Sequence, residues 1–214
     1  MKLHAADLNR IRLHGRVEEL PALSHVNHGV AFHRFSLRVS RLSGAEDLIN
    51  VVAAQELLSR CPPLEPGREL TVTGEVRTFN NRSGEGRRLI ISTFARELRP
   101  EKGEEENHLE LSGTLCKPPS LRFTPLGRTI CDMILAVNRR YGRADYLPCI
   151  AWGSLAHRCG ELSVGDPVRL NGRLQSRVYT KALEDRVEER TAFEVSVMSL
   201  LREGEEVKRL NYDL

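Results

Sequence analysis

Tyr141, Tyr146, Trp152 and Tyr179 fall within 39 residues of a 214-residue chain, and they include its only tryptophan and three of its four tyrosines. Arg139, Arg140, Arg143, Arg173 and Arg177 are interleaved with them. Aromatic rings on an open surface can stack on unpaired nucleic-acid bases, at about 1–3 kcal/mol per base. Arginines beside them can follow phosphates and can also stack. A duplex hides the faces of its bases, so this combination selects single strands. The competing reading makes the rings core or interface aromatics. Solvent accessibility of the four rings together separates the two.

Rings can only work this way if a strand holds them outward. Tyr146 and Trp152 stand six residues apart in "DYLPCIAW". Side chains alternate along a strand, so these two share a face with Pro148 and Ile150. Leu147, Cys149 and Ala151 take the opposite face, which is small and apolar like a barrel interior.

The whole segment has an earlier copy. Gly15 and Gly113 are 98 residues apart, and the same spacing pairs Gly29 with Gly127, Leu37 with Leu135 and Asp47 with Asp145. It continues through Ala53 and Ala151, Cys61 and Cys159, and Gly74 and Gly172 without a gap. A period of this length marks a duplicated domain. We expect a first domain over residues 1–102 and a second over 103–214.

In the second copy, "HLELSGTL", "RTICDMILAVN", "DYLPCIAW", "PVRLNGRLQSRVY" and "ERTAFEVSVMSL" read as five strands by period-two alternation. "KPPSLRFTPLG" is a Pro/Gly turn region with a short extended piece. "GSLAHRCGEL" reads as a short helix between the third and fourth strands, ended by the Val164–Gly165–Asp166–Pro167 turn. Five strands with a helix in that place is the order of an OB-fold, a small Greek-key barrel. Mid-strand glycines such as Gly113 and Gly172 suit its bends. The fold class is therefore all-β, with two tandem OB-folds.

Three segments, "LRFTPLGRTICDMILAVNRRY", "ADYLPCIAWGSLA" and "VGDPVRLNGRLQSRVYT", resemble the bacterial single-stranded DNA-binding protein family. The resemblance covers residues 107–200 directly and residues 9–100 only through the repeat. It implies sequence-tolerant binding of single-stranded DNA in replication, recombination or repair, and an assembly of four OB-folds. For a two-barrel chain that is a homodimer. The family's stacking rings fall on Tyr141, Tyr146, Trp152 and Tyr179, and its fourth-strand arginine falls on Arg177. Arg139, Arg140 and Arg173 complete the expected DNA-binding set. Pro148 and Ser154 stand where basic residues are common in the family, which puts local phosphate contacts there in doubt.

Shifted back by 98, the four rings become Ser43, Leu48, Ala54 and Asn81. The first copy keeps the glycines and the core but loses every stacking position. We expect a division of labour in which the second barrel binds bases and the first serves assembly. "RTFNNRSGEGRR" gives the first barrel Phe79 and the arginines Arg77, Arg82, Arg87 and Arg88. This hairpin either tracks phosphates or is simply a solvated tip.

Charge is compatible with an anionic partner. Residues 1–100 carry fifteen Lys/Arg against eleven Asp/Glu, and residues 107–202 carry fourteen against ten. The joint "EKGEEE" is acidic and reads as a linker. The net charge of +3 alone means only solubility.

Enzymes are the least favoured class. The sequence has no nucleophile–base constellation, no Gly-rich phosphate loop and no acidic metal cluster. No cofactor is expected. The five cysteines form no CxxC pair and read as reduced thiols. His25 and His28 read as surface or turn residues rather than metal ligands. No apolar run reaches membrane-span length and the N-terminus has no signal-like core, so the expected compartment is the cytoplasm. The C-terminal "EGEEVKRLNYDL" lacks the acidic Pro-Phe tip usual in the family, so recruitment of enzymes through a tail is not expected. The main alternative is an OB-fold protein-interaction module, such as a primosome-type replication component. Single-stranded RNA would satisfy the same stacking chemistry.

Overall fold

In the computed structural model, residues 7–80, 89–140, 142–182 and 187–201 are described. Each repeat closes into a barrel. In the first, β1 (Asn9–Val17), β3 (Val30–Ser40), β4 (Glu46–Ala54), β5 (Glu69–Asn80) and β6 (Leu89–Arg99) form the ring. Its strand order is β1-β3-β4-β6-β5 and back to β1. The β4–β6 pairing is parallel and the rest are antiparallel. Helix α1 (Gln55–Ser59) follows β4.

The second barrel repeats this with β7 (Glu106–Leu115), β9 (Thr129–Asn138), β10 (Ala144–Trp152), β11 (Pro167–Ala182) and β12 (Val187–Leu201). Helix α2 (Ser154–Gly160) lies between β10 and β11. Two tandem OB-folds are thus present, with the helix where the sequence placed it. The extended piece expected in the turn region becomes a strand proper. β8 (Ser120–Phe123) pairs with β9, as β2 (Ala22–Asn27) pairs with β3. Both are short and exposed on the sheet's outer edges.

The alternation that suggested strands also sets the core. Leu147, Cys149 and Ala151 of β10 are buried, while Tyr146 and Trp152 point outward. Burying a side chain of Leu size contributes about 1.5–3 kcal/mol, which fixes the face of each strand. Gly113 sits where β7 crosses β9, and an added Cβ would lie 2.5 Å from the Ala136 carbonyl oxygen. Only glycine admits that crossing, which closes the barrel. All five cysteines are free, and Cys131, Cys149 and Cys159 are buried. Burial pushes the Cys159 thiol up to about 12.

The barrels are joined edge to edge. β1 and β7 pair antiparallel from Asn9↔Leu111 to His14↔Glu106, giving one twelve-stranded sheet. The acidic joint does not hang free. Glu106 already belongs to β7 and pairs with Arg12 at 2.7 Å. Glu105 accepts the Ser40 backbone N–H at 2.7 Å.

Asparagines at matching positions stitch each barrel. Asn9 donates to the Val76 carbonyl and accepts the Val76 N–H, both at 2.8 Å. Asn107 does the same with Leu174 at 2.7 and 3.0 Å.

Candidate nucleic-acid interface

β10 carries the accessible rings. Tyr146 is 53% exposed and Trp152 41%, so neither is a core residue. They stand six positions apart along the strand, about 20 Å of backbone. They cannot share one pocket and must act as separate points on one face. Ile150, between them, is buried.

Trp152 edges a groove of about 420 Å³. Arg173, Arg177 and Arg122 share its walls, with Arg41 reaching in from the first barrel. The Nε of Arg173 is buried and has no hydrogen-bond partner among the described residues, which leaves it ready for an acceptor. Arg177 is exposed, with its guanidinium 5.7 Å from the ring centroid of half-buried Tyr179. One groove thus gathers a tryptophan face and cations, and one of those cations, Arg177, lies beside Tyr179. Glu194 is the opposing charge and is held by Gln175 Nε2 at 2.7 Å. Tyr141 lies outside the described residues.

Arg139 is placed differently from what its position beside Tyr141 suggested. Its Nε donates to the Asp145 carboxylate at 2.6 Å, and its Nη2 to the Thr78 carbonyl at 3.1 Å. Asp145 is fully buried. It also accepts the Thr78 N–H at 2.6 Å and pairs with Arg77 at 3.2 Å. Burial raises the Asp145 pKa, but Arg139 and Thr78 outweigh it and hold the carboxyl below the usual carboxylate range.

The repeat reproduces this clamp in mirror fashion. Arg41 Nε donates to buried Asp47 at 2.7 Å, and Asp47 accepts the Ser176 N–H at 2.7 Å. Each barrel therefore presents an Arg–Asp pair to the other barrel's long strand. The clamps hold the Tyr146 and Leu48 ends of β10 and β4 against the opposite barrel.

The first barrel's hairpin is only partly described. Phe79 is 39% exposed, with the Arg139 guanidinium 5.8 Å from its ring centroid. Arg77 is engaged by Asp145 and Glu75. Arg82, Arg87 and Arg88 lie outside the described residues. Arg140 lines a larger groove between the two barrels rather than the Trp152 groove. His25 is exposed in β2, and His28 occupies the β2–β3 turn at φ 49°. The aspartate clamps were not foreseen, although a carboxylate at the same strand position in both copies was their visible signal.

Two linked barrels of this strand order, with open rings and arginines on one face, define a tandem OB-fold protein. Residues 106–201, which span the second barrel, match the single-strand binding protein family. The chain is 36% identical over 80 residues to a single-stranded DNA-binding protein of Clostridium tetani, covering 34% of this chain and 55% of that protein. It is 35% identical over 88 residues to single-stranded DNA-binding protein A of Bacillus subtilis, covering 38% and 51%. The chain spans about half the length of the curated relatives it matches. The solved wild-type single-stranded DNA binding protein from Thermus aquaticus superposes with a TM-score of 0.77 at 24% identity, over 94% of this chain and 96% of that one. That likeness shows the two-barrel fold.

Proposed function

We propose that this chain binds single-stranded DNA with little regard to sequence and shields it during replication, recombination or repair. Bases stack on Trp152, Tyr146 and Tyr179, while Arg173 and Arg177 meet phosphates. The observation that carries this reading is the Trp152 groove, where an exposed indole face adjoins a buried guanidinium nitrogen with no acceptor among the described residues. The names of the relatives matched by the second barrel support the same ligand.

Trp152 is the only tryptophan, so its fluorescence has one source. Titration with oligo-dT at two salt concentrations is expected to quench it, with weaker binding at the higher salt. Binding seen by anisotropy without quenching would remove Trp152 from the site. No binding by either method would leave the protein-interaction reading in its place.

We further propose a homodimer that brings four barrels together. Exposed Leu121, Phe123 and Leu126 around β8 supply uncovered apolar surface. Analytical ultracentrifugation is expected to give twice the 24.2 kDa chain mass. A monomer would refute this.

A further inference from the structure

The first barrel has Ala54 where the second has Trp152, yet it holds rings one strand away. Phe32 of β3 lies directly across from Ala54. Its second-barrel counterpart, Ile130, lies directly across from Trp152. Ring and aliphatic side chain have thus exchanged strands between the copies. Phe32 is out of phase with the core positions Phe35, Leu37 and Val39 and is only half-buried. Strand alternation therefore puts it on the outer face.

Phe32 is the centre of a ledge of three rings. His25 of β2 stacks on it with centroids 5.0 Å apart and planes 12° apart. Phe94 of β6 meets it at 5.7 Å and 44°. The Arg96 guanidinium stands 4.9 Å from the Phe94 centroid. These side chains line an open groove of about 1370 Å³, larger than the one beside Trp152.

Six arginines line this groove against two carboxylates, Asp7 and Glu75. Arg139 and Arg77 are held by Asp145. Arg10, Arg140 and Arg143 are exposed and form no ion pair among the described residues. Arg140 and Arg143 come from the β9–β10 connection of the second barrel, so the cationic rim belongs to both halves of the chain.

We propose that this groove is a second surface for unpaired bases, with the His25–Phe32–Phe94 ledge as its stacking platform and Arg10, Arg140 and Arg143 as phosphate contacts. The proposal rests on the single-strand-binding reading. It replaces the expectation that the first barrel serves assembly alone. Both grooves then take the same polynucleotide.

Ultraviolet crosslinking of the intact chain to oligo-dT, followed by tryptic mapping, tests it directly. Crosslinks are expected both in residues 144–158, which contain Trp152, and in residues 17–34, which contain His25 and Phe32. Phe32→Leu keeps an apolar side chain and removes the ring; it is expected to weaken oligo-dT binding about five- to tenfold. Arg143→Glu, at an exposed position with no ion pair among the described residues, is expected to weaken binding without disturbing the core. Circular dichroism checks that both variants fold. Crosslinks confined to 144–158, with both variants binding like the wild type, would overturn the second surface and leave the first intact. A wild type that binds no oligo-dT would overturn both readings.

Discussion

Asp145 of the second barrel accepts a hydrogen bond from the backbone N–H of Thr78 in the first, at 2.6 Å, from a fully buried position. The repeat returns the contact, with Asp47 of the first barrel accepting the Ser176 N–H of the second at 2.7 Å. Two buried carboxylates thus lock two barrels that are already joined by β1 and β7. Each is neutralised by an arginine of its own barrel, Arg139 or Arg41. A buried carboxylate without such a partner would be strongly destabilising.

Asp145→Asn should therefore cost more than a surface change. It leaves Arg139 and Arg77 without their shared counter-charge in a largely buried junction. We expect a loss of about 2–4 kcal/mol in urea unfolding. Asp47→Asn should act in the same direction at the matching clamp. A loss below about 0.5 kcal/mol, the scale of surface substitutions, would show that the clamps are dispensable.

Acid should release the Asp145 clamp. Its carboxyl is held below the usual range, so the folded state favours the ionised form. The stabilisation is fully present above the unfolded value of about 3.9 and is lost as pH falls below it through the depressed folded value. The melting temperature should drop over that acid window. In Asp145→Asn the drop should be shallower; an unchanged profile would assign the acid lability to other groups.

Arg139 and Arg177 should separate structure from binding. Arg139 spends its donors on Asp145 and Thr78. Arg139→Ala is expected to lower the melting temperature. Arg177 is exposed beside Tyr179. Arg177→Ala is expected to leave the melting temperature in place and to reduce the salt dependence of oligo-dT binding by about 0.7 in slope, the value for one phosphate contact on a single strand. An unchanged slope would remove Arg177 from the phosphate path.

Much of this arrangement could be read from residue order. The 98-residue spacing located both barrels, and alternation placed Leu147, Cys149 and Ala151 inward with Tyr146 and Trp152 outward. The same parity would have put Phe32 outward, since it is out of phase with Phe35, Leu37 and Val39. That signal was available, but comparing equivalent positions found only Ala54 and missed the ring on the neighbouring strand. The acidic joint read as a tether, because no local pattern shows that Glu105 caps Ser40, 65 residues away.

The sequence by itself determined the duplication, the strand faces and the helix positions, and it carried the second barrel's resemblance to single-strand binding proteins. These depend on neighbours one to four residues apart and on matching copies, which the order of residues records. Only the tertiary structure decided that Arg139 serves Asp145, that Asp145 reaches Thr78, and that His25, Phe32 and Phe94 form one ledge. The Asp145–Thr78 contact spans 67 residues, and its partners meet only because two closed barrels pair through β1 and β7. Side-chain alternation tells which way a residue points, but the packing of distant strands decides what it meets there.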